Sequence, residues 1–153
     1  MKIGVLSDTH SLLRPEVLPL LAGSDHILHL GDVGDPEILG KLANLAPVTA
    51  IRGNVDTRGP CAMLPATEVV SLAGYYFYML HDVHQLDLDP AAAGFAAVLY
   101  GHSHKPQIEW RKDVLYFNPG SCGPRRFQLP ITCGSITINE NGQLEAEFLP
   151  LPI

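Results

Sequence analysis

The stretch Lys2-Ile3-Gly4-Val5-Leu6-Ser7-Asp8-Thr9-His10 decides how the chain reads. Lys2 to Leu6 is a nearly unbroken apolar run rich in β-branched residues, the pattern of a strand buried on both faces in a parallel sheet. It stops at Asp8, and Asp-x-His just past a strand delivers a carboxylate and an imidazole to one edge of the sheet. With one basic residue ahead of it and Asp8 cutting it short, the run lacks the roughly 7–15 apolar residues of a secretion signal. A cytoplasmic location is the expectation.

Working outward, Pro15 to Leu21 sets Val17, Leu18, Leu20 and Leu21 at helical spacing behind a proline suited to the first turn. His26 to Leu30 predicts a second strand, ending at Gly31-Asp32. Asp35-Pro36 predicts an N-cap and N1 proline for a helix with apolar face Ile38, Leu39, Leu42 and Leu45. Val48 to Ile51 predicts a third strand, leading to Gly53-Asn54. Such alternation implies parallel strands joined by right-handed crossovers, with ligands collecting beyond the carboxyl ends of the strands.

The remainder reads differently. Glu68 to Leu72 and Tyr75 to Leu80 flank Gly74 as a hairpin, and Ala96 to Tyr100 predicts a buried strand. Gln107 to Trp110 pairs with Val114 to Asn118 across Lys112-Asp113, and Gly134 to Asn139 with Leu144 to Leu149 across Asn141-Gly142. Thr57 to Pro65 and Leu86 to Gly94 read as loops. The sum predicts an α/β fold of two packed sheets with helices outside, one domain over residues 1–153.

With 153 residues, 46% hydrophobic and 17% charged, the chain can bury one continuous core. A net charge of -6 gives no footprint for stable nucleic-acid or anionic-lipid binding. Ala91 to Tyr100, the longest mostly apolar run, falls short of the ~20 residues that span a bilayer. Cys61, Cys122 and Cys133 form no C-x-x-C pair and read as buried or free thiols.

Each apolar run ends in a potential metal ligand: Asp8 and His10, then Asp32, Asn54, His81, and finally His102 with His104. Strand ends favour Asp and Asn for loop capping alone. Oxygen and imidazole ligands recurring at one sheet edge, however, are costly to gather without cations.

In order and type, Asp8-Thr9-His10, Gly31-Asp32, Gly53-Asn54, His81 and Gly101-His102-Ser103-His104 resemble the motifs of the calcineurin-like metallophosphoesterase superfamily. Asn118-Pro119-Gly120-Ser121 and the short chain resemble its small bacterial and archaeal phosphodiesterase branch. The resemblance implies a four-layer sandwich of two mixed sheets flanked by helices. It implies a hydrolase of phosphodiesters or activated phosphomonoesters that uses metal-activated hydroxide. Asp8, His10 and His104 would hold one divalent cation, Asn54, His81 and His102 the second, and Asp32 would bridge them. Manganese leads the candidates, with nickel, iron or zinc behind it. Asn54 and Asp32 would serve catalysis directly.

Two departures stand out. Val55 and Asp56 follow Asn54 where many members carry His-Glu, so the usual leaving-group acid is missing. Asp82 and Val83 follow His81 in place of Gly-His, with His84 nearby and best read as a solvent-facing loop residue. His26 and His29 read as hydrogen-bonded strand residues rather than ligands, and Arg125 and Arg126 as candidate phosphate contacts. The expected partner is a small phosphate ester, and a homo-oligomer remains open. The rival readings within the superfamily are a protein-interaction scaffold, as a retromer subunit of this fold is, and a nuclease.

Overall fold

A computed structural model describes all 153 residues. The first sheet contains β1 (Lys2–Leu6), β2 (His26–His29), β3 (Val48–Ala50), β9 (Thr132–Ile138) and β10 (Leu144–Pro150), in the order β10-β9-β1-β2-β3. The second contains β4 (Thr67–Leu72), β5 (Tyr75–Leu80), β6 (Ala97–Leu99), β7 (Gln107–Arg111) and β8 (Val114–Asn118), in the order β4-β5-β6-β8-β7. Both sheets are mixed. β1, β2 and β3 run parallel, as do β5, β6 and β8, while β9, β10, β4 and β7 pair antiparallel.

Period-two alternation sends one set of side chains from each sheet into the space between them. Ile3, Val5, Leu28, Leu30 and Ile51 of the first half meet Phe77, Met79, Leu99, Leu115 and Phe117 of the second in one buried cluster. Full burial of each such side chain stabilises by about 1.5–3 kcal/mol. Phe117→Ala, which removes a ring in contact with Phe148, is expected to cost about 3–5 kcal/mol.

The outer face of the first sheet is covered by α1 (Val17–Leu21) and α2 (Glu37–Ala43), which bury Val17, Leu21, Ile38 and Leu42 beside Leu6 and Ile27. Over the second sheet the outer layer is thinner than the four-layer expectation suggests. Tyr78, Leu80, Val98, Tyr100, Val114 and Tyr116 are covered by Val83 from a 3-10 turn and by Leu86, Leu88 and Phe95 from the segments on either side of the one-turn helix α3 (Pro90–Ala93). No helix is long and apolar enough to cross a membrane.

Three expectations need correction. The second helix starts one residue later than read: Pro36 occupies the cap position, Asp35 Oδ1 accepts from Glu37 N–H, and Leu45 falls beyond the helix end. The segment from Leu86 to Gly94 contains α3, capped by Asp89 and closed by Gly94 at φ 82°, too short to show periodicity in sequence. The Thr57 to Pro65 segment contains a 3-10 turn at Pro60–Met63 that buries Cys61.

Candidate metal centre

Because β1, β2 and β3 run one way in the first sheet and β5 and β6 run parallel in the second, the chain leaves each strand toward one end of the sandwich. There the loops turn sharply. Asp8, His10, Asp32, His102 and His104 all adopt positive φ, from 45° to 71°, a conformation uncommon outside glycine and concentrated at functional sites. Two glycines make room. A Cβ on Gly53 would collide with the Asp32 carboxylate, and one on Gly101 would lie 2.6 Å from Asp8 Oδ2.

Asp8 is fully buried and its two oxygens do different jobs. Oδ2 accepts from the Ser7 hydroxyl at 2.6 Å and from the His102 N–H at 3.1 Å. Oδ1 has no hydrogen-bond partner and faces the Nε2 atoms of His104 at 3.3 Å, His10 at 3.5 Å and His81 at 3.7 Å. Asp32 divides in the same way. Oδ1 accepts from Val55 N–H, while Oδ2 stands 3.1 Å from His81 Nε2 and 3.5 Å from His10 Nε2.

His81 Nδ1 is 2.7 Å from the Leu30 carbonyl, so it carries the proton and turns the Nε2 lone pair toward both carboxylates. Despite its short distance to Asp32, that buried Nε2 makes no hydrogen bond of acceptable geometry.

Burial opposes ionisation of Asp8, but His10, His104, His81 and Ser7 outweigh it and hold the carboxyl well below the ordinary range. Asp32 shifts down likewise, with His81 and the Val55 N–H overcoming burial. Burial would lower the His81 pKa, yet Asp32, Asp8 and the Leu30 carbonyl lift it above normal. The lifted His81 proton stands where a cation would relieve the same carboxylates, and exchange of that proton for a divalent ion would leave charged carboxylates and imidazole nitrogens close enough to hold it. Donors bonded to one ion at about 2.0–2.1 Å in tetrahedral array lie about 3.3 Å apart. Asp8 Oδ1, His10 Nε2 and His104 Nε2 are separated by 3.3 to 3.5 Å. Asp8, His10 and His104 thus form one potential ion-holding group, and Asp8, Asp32 and His81 another.

Asp8, His10, Asp32, His81 and His104 converge, as the sequence predicted. Asn54 and His102 flank them at the rim, joined by a 3.1 Å contact between Asn54 Oδ1 and His102 Nδ1, and the His102 ring lies 5.2 Å from that of His81. His84 is exposed beside Asp82, and His26 contacts Thr49. His29 is buried behind the cluster, between Thr9 Oγ1 and the Gly31 N–H. The Arg125 guanidinium turns to the Leu129 carbonyl, and Arg126 is exposed on the same loop. Neither lines the cleft of about 730 Å³ that opens from Asn54, His81 and His102.

Arg52 does line the cleft, anchored through its own bond to the Leu64 carbonyl. It was overlooked in sequence, although its position two residues before Asn54 places it just beyond the end of β3. Asp56, which in sequence is only a departure from the motif, has a structural role. Its buried carboxylate accepts from Val33, Gly34 and Gly53 N–H groups, tying the Asp32 loop to the Asn54 loop. Asn118 donates to the Gly101 carbonyl and to Ser103 Oγ, and Ser121 to the Asp8 carbonyl, which fixes the histidine loop from below.

Two packed mixed sheets with buried carboxylates and imidazoles at the strand ends are what a metal-dependent phosphoester hydrolase requires. The calcineurin-like phosphoesterase superfamily domain matches residues 1–141, and the chain belongs to that superfamily. It is 33% identical to a probable metallophosphoesterase of Methanocaldococcus jannaschii, over 99% of this chain and 82% of that protein. An archaeal phosphodiesterase structure superposes with a TM-score of 0.79 at 25% identity, covering 97% of this chain and all of the other. Vacuolar protein sorting 29 from Cryptosporidium parvum, at 16% identity and a TM-score of 0.77 over 98% of this chain and 97% of its own, shares the fold.

Proposed function

We propose that the protein hydrolyses a small phosphodiester, or an activated phosphomonoester, with the aid of two divalent cations, manganese first among them. The observation that carries this reading is the pair of buried, unpartnered atoms, Asp8 Oδ1 and His81 Nε2, facing one another across a cluster rich in lone pairs. Asp8, His10 and His104 would hold one ion and His81, Asn54 and His102 the other, with Asp32 available to both. Once bound, such ions polarise phosphoryl oxygens and lower the pKa of coordinated water from 15.7 toward about 7.

The chain's own residues supply position and charge. The Ser7 hydroxyl and the His102 N–H keep Asp8 in a single rotamer, and Val55 N–H does the same for Asp32. Asn54, neutral and at the rim, offers an amide N–H to a phosphoryl oxygen as negative charge develops there. Arg52 brings the positive charge that an acidic chain needs to attract an anionic ester. Val55 supplies no acid at the leaving-group side, so esters with good leaving groups are favoured. The related phosphodiesterases support the preference for diesters.

The test is elemental analysis of the purified protein together with turnover of an aryl phosphodiester and the matching monoester, before and after chelation. Expected are bound divalent metal, loss of turnover on chelation, recovery with manganese, and faster cleavage of the diester. A protein that lacks metal and shows no metal-stimulated turnover is instead a scaffold on this fold.

A further inference from the structure

Strand β7 closes one side of the second sheet, and its neighbours decide where its main-chain groups point. Leu115 N–H bonds to the Ala96 carbonyl and Tyr100 N–H to the Phe117 carbonyl, so Leu115 and Phe117 turn their main-chain groups toward β6. Val114, Tyr116 and Asn118 therefore turn theirs toward β7, where they face Arg111, Glu109 and Gln107. That leaves the N–H and C=O groups of Ile108 and Trp110 pointing outward from the sheet edge.

Side chains of the same two residues stand on the core side, opposite Phe117 and Leu115. With no strand beyond them, Trp110 is 52% exposed and Ile108 37%. Phe148 of β10, stacked on Phe117, adds a third exposed apolar group at this open seam between the sheets. Edge strands are commonly protected by lysine, proline or a bulge. β7 contains no lysine or proline, its two charges, Glu109 and Arg111, neutralise each other in a pair on the face away from the seam, and its register with β8 is uninterrupted.

We propose that β7 pairs antiparallel with β7 of a second copy of this chain, about a twofold axis at Trp110, so that the second sheets of the two copies become continuous. Charge selects this register. An axis at Glu109 would set two Glu109 carboxylates directly opposite each other. An axis at Trp110 sets Glu109 opposite the partner's Arg111, enlarging the Glu109–Arg111 pair already present at 2.9 Å within each chain. It also lets the two Trp110 main chains exchange hydrogen bonds and brings both indoles together on the seam side, out of water.

Sedimentation or light scattering of the metal-loaded chain, taken up to about 100 μM, reads the outcome directly. The wild type is expected at twice the chain mass. Arg111→Glu, which sets like charges opposite each other, is expected to be monomeric, and Glu109→Arg with Arg111→Glu to restore the dimer. Trp110→Pro removes an outward N–H and the half-exposed indole but no hydrogen bond to β8, a change edge strands tolerate, and is expected to be folded and monomeric. Trp110 is the sole tryptophan, so its emission should shift to the blue as the wild type dimerises and stay unshifted in Arg111→Glu. A wild type that remains monomeric overturns the proposal, even if β7 accepts a strand from another protein. So does a dimer that survives both Arg111→Glu and Trp110→Pro, since its contact then lies elsewhere.

Discussion

On its inner wall the metal centre presents Asp8, Asp32, His81 and His104, all buried, with Asp8, Asp32 and His81 each hydrogen-bonded to the fold on one side. On its rim, Asn54 and His102 lie exposed and touch each other, the His102 side chain being 45% accessible. The difference teaches which ligands the fold has committed. An inner-wall atom without a cation has no water to fall back on, so its geometry is set before any ion arrives. The rim pair can trade water, ion or ester at little cost. Asp8→Ala should therefore strip most bound metal and lower aryl diesterase turnover on the order of 10³-fold, about 4 kcal/mol of barrier. His102→Ala should keep the greater part of the metal and lose about 10–100-fold in turnover, a loss closer to that of a supporting group. Elemental analysis beside the kinetics separates the two walls. Equal metal loss in both variants would erase the distinction.

Asp56 sharpens the same contrast from behind, because it belongs to neither wall and links both. Asp56→Ala leaves the Val33, Gly34 and Gly53 N–H groups without their acceptor. At about 1–3 kcal/mol for each buried donor left unpaired, and with water entering to satisfy some, a stability loss of about 3 kcal/mol is expected in urea unfolding. Metal affinity should fall about 10–100-fold as the Asp32 and Asn54 loops lose register. An unfolding curve and affinity like those of the wild type would show that the clamp is dispensable.

Convergence of the inner wall was legible because buried parallel strands appear as short apolar runs and each run stops at a ligand. Lys2 to Leu6 before Asp8 is the plainest case. Less visible was how the loops close. Five of the ligand positions adopt left-handed φ without being glycine, and the enrichment of Asp and His in that region is too weak to single out Asp8 or His104 from sequence. Arginines were harder still. Sequence could not tell Arg52, which lines the cleft, from Arg125, which folds onto the Leu129 carbonyl in its own loop. Asp56 looked like a departure from a familiar motif, since its role depends on N–H groups supplied by residues more than twenty positions away. The thin layer over the second sheet was unreadable for another reason: Leu86, Leu88 and Phe95 cover it without any periodicity.

The smallest expected effect concerns the ground beneath the inner wall. Gly31 N–H donates to His29 Nδ1, so the ring's proton sits on Nε2, which donates to Thr9 Oγ1, and Thr9 in turn donates to the Val33 carbonyl. A second proton on Nδ1 would point at an N–H, and full burial pushes the His29 pKa down to about 4 even against the nearby Asp8, Asp56 and Asp32. Unfolding frees the ring to titrate near 6.5. Between those values the unfolded chain binds a proton that the folded chain refuses, so this contribution to stability rises with pH, complete above 6.5 and lost toward 4. From pH 7 to pH 5 the wild type should lose about 2 kcal/mol through this residue. His29→Asn, which retains an acceptor for Gly31 but cannot titrate, should be less stable at pH 7 and yet show a shallower decline on acidification. Parallel pH profiles for the two proteins would mean that His29 takes up its proton in the folded state, and that the inner wall rests on a less rigid base than its hydrogen bonds indicate.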